Sequence, residues 1–340
     1  MSRLAAQVLV APAQLADVAA SARQVASGVG GLILFGSSVP VDLREQLRQL
    51  ERLAPHGIPP LVMTDEEGGA VQRMAGLVGP VPSARRMAAT MTPAQVERLA
   101  RRVGDRLKRA SVTMDLAPVL DLDAGDGPGA RDPDGTRSFG TDPATTAADG
   151  LAFAAGLREA GVIAVVKHFP GLGSASGNTD DGPAATVPWA TLSQVGLAPF
   201  RDAVAAGIPA VMVANATVPG LTPLPASISP AVVTTVLRDE LGFTGLVMTD
   251  SVSAGALTDI GDPVPVAAVA ALAAGDDLVL FGTGVDDDPR LTDRAVAAIT
   301  AAVRSGALPR RTLVDAADHV LAAKGIDLCV SRDARAQGPR

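Results

Sequence analysis

Lys167 and His168 stand side by side at the end of a short apolar run, residues 162–166, that is rich in β-branched side chains and shows no alternation. Such a run reads as a strand buried on both faces. The residues that follow, 171–182, are too glycine-rich and polar for helix or strand. A cation beside an imidazole at the mouth of a loop can bind and orient a polar ligand, and the pattern recurs along the chain. Asp65 follows the apolar run 61–63 and leads into Glu66, Glu67 and, a little later, Arg73. Asp121 follows residues 113–119, and its loop runs on to Arg137. Asn215 follows 210–214, and Asp250, with Ser251 after it, follows 245–248. Carboxylates, guanidinium groups, an ammonium, an imidazole and an amide could together hydrogen-bond the hydroxyls of a small polar molecule, with arginine acting bidentately. Asp250 would be available for nucleophilic or acid/base work.

These groups need elements that bring them to one place. Short apolar strands alternate with longer alanine-rich amphipathic segments. The strand candidates are residues 8–10, 32–35, 61–63, 113–119, 162–166, 210–214, 245–248 and 277–281, eight in all. Helical patterns at 93–110, 145–160 and 230–241 lie between them. This alternation is the mark of parallel β/α architecture. Eight units predict a single-domain (β/α)8 barrel, in which function sits at the C-terminal strand ends. A doubly wound open sheet is the alternative, but no G-x-G-x-x-G follows the first strand. No linker divides the chain, so the barrel is expected over residues 1–330, with a polar tail at 331–340.

Composition narrows the function. The chain has 340 residues, 47% of them hydrophobic, enough for a large core. A net charge of −7 gives no general attraction to nucleic acid or anionic membranes. The single cysteine, Cys329, allows no intramolecular disulfide, and three histidines leave little for a mechanism that needs a histidine cluster. Aromatic residues make up 2%, with no tyrosine, so the chain cannot offer the platforms that grip long polysaccharides. A small ligand held by polar groups fits better. Arg3 and the apolar residues 4–13 faintly imitate a signal peptide. Gln7 interrupts that run, which reads as the first strand, and a cytoplasmic location is expected. Residues 121–127 look a little like an oxygen-ligand calcium loop but lack its spacing and closing glutamate, so no metal is expected.

Several stretches together resemble the single-domain β-N-acetylglucosaminidases of glycoside hydrolase family 3. They are Asp65-Glu66-Glu67-Gly68-Gly69-Ala70-Val71-Gln72-Arg73, Ala117-Pro118-Val119-Leu120-Asp121, Arg137-Ser138-Phe139-Gly140, Lys167-His168-Phe169-Pro170-Gly171, Leu241-Gly242-Phe243-Thr244-Gly245 and Met248-Thr249-Asp250-Ser251. The resemblance spans nearly the whole chain and itself implies a (β/α)8 barrel. It further implies that Asp65, Arg73, Arg137, Lys167 and His168 hold the sugar in the −1 position. Asp250 would be the nucleophile of a retaining double displacement through a covalent glycosyl-enzyme.

The departures from the family pattern are equally informative. Its loop after Lys-His-Phe-Pro-Gly usually carries Asp-x-His, the histidine being the acid/base. Counted without gaps from Lys167, those positions hold Asn178 and Asp180. Asp180, or its neighbour Asp181, is the only proton carrier the loop offers. Where the family often has histidine after the Met-x-x-Ala strand, this chain has Asn215, expected to contact substrate. The glycines of the loop suggest that it moves. The resulting expectation is a retaining exo-glycosidase for a small β-linked sugar conjugate, with N-acetylglucosamine implied by resemblance and no cofactor. Two competing readings stand beside it: a non-catalytic sugar-binding or biosynthetic member, and a glycosyl transfer or phosphorolysis variant. The aspartates 180 and 181 argue against the anionic acceptor that phosphorolysis needs.

Overall fold

The computed structural model describes residues 1–261, 263–282 and 290–326. Cys329 and the tail expected at 331–340 lie outside the described residues. Eight parallel strands build the centre: β1 Leu9–Gln14, β2 Gly31–Phe35, β3 Leu61–Thr64, β4 Met114–Asp115, β5 Ile163–Phe169, β6 Ala210–Val213, β7 Leu246–Thr249 and β8 Val279–Leu280. They pair in the order β7-β6-β5-β4-β3-β2-β1-β8. A parallel bridge between Met248 and Leu278 brings the two ends together, so the expected (β/α)8 barrel forms.

Side chains alternate across the strands as the pleat demands. Val10, Ile33, Met63, Met114, Val165, Met212, Met248 and Leu280 point inward and pack on one another. Their neighbours Ala11, Leu32, Leu34, Val62, Val166, Val211 and Val247 point outward against the helices. The ring of helices contains α1 Ser2–Gln7, α2 Ala22–Ser27, α3 Leu43–Glu51, α4 Pro93–Arg109, α5 Pro143–Glu159, α6 Ala198–Ala205, α7 Ala231–Glu240, α8 Val264–Ala274, α9 Leu291–Ser305 and α10 Arg310–Ala323. The starts of the two longest follow from the sequence. Thr92 and Gln95 form a capping box ahead of α4, with Pro93 at its first position. The Asp142 carboxylate accepts the Thr145 N–H at 2.8 Å to start α5, again followed by proline. Among the described residues no helix is long and apolar enough to cross a membrane.

Two expectations need correction. Residues 4–13 are not one strand: Ser2–Gln7 is helical, and β1 begins only at Leu9. Leu-Ala-Ala-Gln favours helix, and the buried Ala5 packs with α8, α9 and α10 beneath the barrel. The fourth strand is far shorter than residues 113–119. Pro118 has no N–H to give to a ladder; after Asp115 the regular strand ends, while the Val165 and Lys167 N–H groups still donate to the Ala117 and Pro118 carbonyls at 3.1 and 3.2 Å and an isolated bridge joins Val119 to Lys167.

An ion cluster ties the end of the barrel away from the loops that carry Asp65, Lys167 and Asp250. Arg238 on α7 donates to Asp277 Oδ2 at 2.5 Å, which also accepts the Val247 N–H at 2.8 Å. Asp277 Oδ1 meets His319 Nδ1 of α10 at 2.7 Å. Removing one partner of a buried pair strands the other charge. Arg238→Ala should therefore lower the unfolding free energy by roughly 3 kcal/mol, read as a reduced urea midpoint. An unchanged midpoint would show that Asp277 needs no cation here.

Candidate active site

The C-terminal strand ends open into a cavity lined by Asp65, Arg73, Arg137, Lys167, His168, Asn178, Thr179, Asp180 and Asp250 among its polar residues. Ile33, Phe35, Leu116, Met212 and Leu280 supply apolar wall. Each polar group reaches it by a local device. After β3 the chain turns back through a short hairpin, Glu66–Gly68 with Val71–Gln72. Gly68 has φ +91°, and a Cβ there would come 2.4 Å from the Pro82 carbonyl oxygen. The hairpin is fastened by the buried Glu66, whose carboxylate accepts from Gln72 Nε2 at 2.8 Å and from the Met74 N–H at 2.7 Å. Burial pushes the Glu66 pKa up to about 7. In β5 the register against β6 shifts between Val166 and Phe169. Such an irregularity re-aims side chains, and the consecutive Lys167 and His168 both face the cavity instead of opposite sides of the sheet.

Glu67 joins the two main cations. It accepts from Arg137 Nε and Nη2, both at 2.8 Å, in a bidentate pair. Its Oε1 also lies 2.7 Å from Lys167 Nζ. Lys167 donates in addition to Asp65 Oδ1 at 2.8 Å. Burial alone would push the Glu67 pKa up, but the charges of Arg137 and Lys167 outweigh it and hold the carboxyl well below the usual range. For Lys167, burial would lower the pKa; Asp65 and Glu67 outweigh that and raise it. The cluster is therefore fully ionised at neutral pH.

His168 is fixed from behind. Its Nδ1 lies 2.6 Å from Asp121 Oδ2, which also accepts the His168 backbone N–H at 2.9 Å, while Asp121 Oδ1 accepts the Leu172 N–H at 2.7 Å. Burial, then the Arg137 charge, lower the His168 pKa to about 4, so the ring is neutral. With Nδ1–H given to Asp121, Nε2 presents a lone pair toward Arg137 Nη2 at 3.3 Å. Asp134 is wholly buried; its Oδ1 lies 3.5 Å from Arg137 Nη1, and neither of its oxygens accepts a hydrogen bond among the described residues. Burial and the neighbouring Asp121 raise its pKa well above the carboxylate range. The possible ligand atoms of Asp121, Asp134 and His168 lie within 4.8 Å of one another, close enough for a metal ion. That geometry is already used: Asp121 accepts three N–H groups, and the Arg137 guanidinium supplies the positive charge.

Asp250 follows β7, its backbone N–H bonded to the Val213 carbonyl at 2.8 Å and its Oδ1 accepting the Ser251 N–H at 2.7 Å. Asp180 is exposed at the cavity rim. Desolvation in the cleft raises both pKa values; the Asp180 carboxyl raises that of Asp250, and the carboxyls of Asp65 and Asp181 raise that of Asp180. Arg73 stacks over Phe35 with its guanidinium 6.0 Å from the ring centre.

The remaining expectations come out differently. Asn215 is 1% exposed and does not line the cavity. Its Nδ2 donates to the Ser251 carbonyl at 2.7 Å and its Oδ1 accepts from Ser227 at 2.6 Å, so it braces the Asp250 loop. Asp181 is exposed and is not among the lining residues. The calcium-like stretch also turns out otherwise: Asp123 accepts from the Gly125 and Ser174 N–H groups, and Asp126 is exposed. Residues that sequence reasoning did not assign are Glu67, Asp121 and Asp134. Glu67 and Asp121 carried a signal, as acids at strand ends; Asp134 carried none beyond standing near Arg137. The loop expected to move is held by backbone bonds to three neighbours, at Ala130, Thr217 and Gly255.

Comparison with known proteins agrees with this geometry. The glycosyl hydrolase family 3 N-terminal domain matches residues 7–323. The chain is 40% identical over 306 residues to the β-hexosaminidase LpqI of Mycobacterium tuberculosis, covering 87% of this chain and 76% of that protein. A crystal structure of a family 3 glycosyl hydrolase from Mycobacterium smegmatis superposes with a TM-score of 0.84 at 36% identity, covering 96% of this chain and 97% of that one. A β-N-acetylhexosaminidase from Beutenbergia cavernae gives a TM-score of 0.85 at 33% identity over 96% and 98%.

Glu67→Gln keeps the shape of the central carboxylate and deletes its charge, leaving Arg137 and Lys167 facing each other with Asp65 as the remaining anion bonded to Lys167. The unfolding free energy should fall by roughly 3 kcal/mol. Urea denaturation measures this, and an unchanged value would mean that packing alone holds the cluster.

Proposed function

The chain belongs to glycosyl hydrolase family 3, and on that premise we propose that this glycoside hydrolase is a retaining exo-glycosidase. It removes a terminal β-linked N-acetylhexosamine, foremost N-acetylglucosamine, from a small conjugate. The observation that carries the reading is the pair Asp250 and Asp180 lining one cavity with a buried set of cationic and neutral hydrogen-bonding groups. The β-hexosaminidase names of the relatives support the choice of sugar.

In this mechanism Asp65, Arg73, Arg137, Lys167 and His168 hold the sugar hydroxyls. The salt-bridged Arg137 and Lys167 spend no binding energy on becoming ordered, because Glu67 already holds them. Asp250 attacks the anomeric carbon as a carboxylate. The glycosidic C–O bond breaks, and Asp180 gives its proton to the departing oxygen. Asp180 raises the pKa of Asp250, and the pair holds one proton in this mechanism, on Asp180, leaving Asp250 ionised with the Lys167 charge to favour it. Forming the glycosyl ester removes the charge of Asp250. The Asp180 pKa then drops, and the same group can accept a proton from the water that hydrolyses the ester. The acid of the first step becomes the base of the second.

Asp250→Asn should abolish turnover, and intact mass after incubation with an activated fluoro-sugar should show an adduct on the parent and none on the variant. Turnover that survives the change would reject the covalent mechanism. The parent's kcat/KM should trace a bell against pH. Its acidic limb should lie above the ordinary aspartate value of about 3.9, because the Asp250 pKa is raised, and its alkaline limb should report loss of the Asp180 proton. In Asp180→Asn, assayed on a nitrophenyl glycoside, the alkaline limb should disappear and the acidic limb should move to lower pH, because Asp180 no longer raises the Asp250 pKa. A variant that keeps the alkaline limb would exclude Asp180 as the acid.

A further inference from the structure

Gly255 opens a one-turn helix, Gly255–Thr258, just beyond the loop that carries Asp250. Its φ is not positive, so an L-residue could adopt its backbone, and alanine is the better helix former. What excludes a side chain is the segment lying over it. A Cβ at residue 255 would come 2.7 Å from the Gly182 nitrogen, 2.8 Å from the Asp181 carbonyl carbon and 2.9 Å from the Asp180 carbonyl oxygen. All three are backbone atoms, which cannot rotate aside. The contact is also bonded. The Gly255 N–H donates to the Asp180 carbonyl at 3.0 Å, and the Ala256 N–H donates to the Thr179 carbonyl at 3.0 Å. Thr179 is buried beneath the loop.

Other contacts hold this loop farther from its acid. Asn178 donates to the Ala130 carbonyl at 2.9 Å, and Thr217 donates to the Ala184 carbonyl at 2.9 Å. The contacts at Gly255 and Ala256 act on residues 179 and 180 themselves. We propose that Gly255 is a positioning residue for the acid/base: its missing side chain seats the backbone of Asp180 on the segment that follows Asp250. Both carboxyl groups are then fixed to one short piece of chain, Asp250 to Thr258, and stay in register with each other. This rests on the assignment of Asp180 as acid/base, made above. Misplacing a proton donor weakens bond cleavage most where the leaving oxygen needs protonation. A nitrophenolate leaves without it, whereas an alkoxide does not.

The test measures kcat/KM on a nitrophenyl and a methyl β-N-acetylglucosaminide and takes their ratio. Asp180→Asn should raise the ratio about 100-fold or more. Gly255→Ala, whose Cβ must lift the loop, should raise it about tenfold, on the scale of a small misplacement. In the double variant Gly255→Ala should add nothing further, because the group it positions is gone. Ala256→Pro deletes the second loop bond at a helix position where proline is tolerated and should raise the ratio less; it carries the test if Gly255→Ala does not fold. Gly182→Ala, which adds a methyl to the same loop near only the Asp259 carboxylate at 3.4 Å, should leave the ratio unchanged. If Asp180→Asn leaves the ratio unchanged, the acid/base assignment fails. If Asp180→Asn raises it but neither Gly255→Ala nor Ala256→Pro does, the assignment stands and the positioning role of Gly255 is overturned. Equal losses on both substrates in Gly255→Ala would likewise overturn it.

Discussion

The bridge from Glu67 to Arg137 and Lys167 is the constraint on which the rest of the site depends. Charges at the end of a barrel, walled by apolar strands, lose most of their hydration. They persist only where opposite charge and hydrogen bonds replace it. Glu67 supplies both, meeting the fork of Arg137 with two oxygens and Lys167 with one of them. A lysine in place of Arg137 could not fill that fork. The bridge joins three strand ends that are remote in sequence: the turn after β3, the long loop after β4 and the end of β5. It therefore fixes the cavity's shape as well as its charge, and the hairpin anchored by Glu66 follows from the need to aim Glu67.

Around this ionised centre the remaining titratable groups are kept neutral or shared. His168 stays unprotonated because burial desolvates the ring and Arg137 lies against it. Burial and the neighbouring Asp121 raise the pKa of Asp134. The result is a site with its positive charge concentrated on two side chains and its hydrogen-bonding polarity set in advance. A bound sugar would meet donors from Arg73, Arg137 and Lys167, and an acceptor lone pair from His168. Preorganisation of this kind reduces the cost of orienting polar groups during a reaction.

The two carboxyl groups proposed to react are arranged differently. Asp250 leaves the rigid end of a strand, whereas Asp180 arrives on a loop. In the family pattern a histidine held by an aspartate occupies that region. Here Asn178 occupies the aspartate position and accepts the Asp180 N–H through its side chain at 3.0 Å, making a turn of the kind asparagine favours. An aspartate needs a raised pKa to serve as an acid near neutrality. The cleft provides this through desolvation and through the carboxylates of Asp65 and Asp181. The loop's three-sided docking holds that carboxyl in place without a partner side chain to orient it.

The sequence alone determined the barrel. Eight short apolar runs, most of them separated by helical patterns, leave little other way to bury the strands on both faces, and proline and capping residues marked where α4 and α5 begin. It also determined which strand ends carry polar groups, because a charge at the end of an apolar run has nowhere to go but the barrel mouth. Local pattern could not reveal which of those groups meet. Asp134 and Glu67 acquire their roles from distant residues, for Glu67 an arginine 70 positions away and a lysine farther still, and only closure of the barrel brings them together. Asn215 looked like a ligand-binding amide because it follows a strand. It is a brace because Ser227 and the Ser251 carbonyl reach it first, a competition between partners that no periodicity encodes. The tertiary structure likewise chose between neighbours: Asp180 faces the cavity and Asp181 does not. The choice follows from a hydrogen bond at Gly255, where the absence of a single methyl group lets two loops touch.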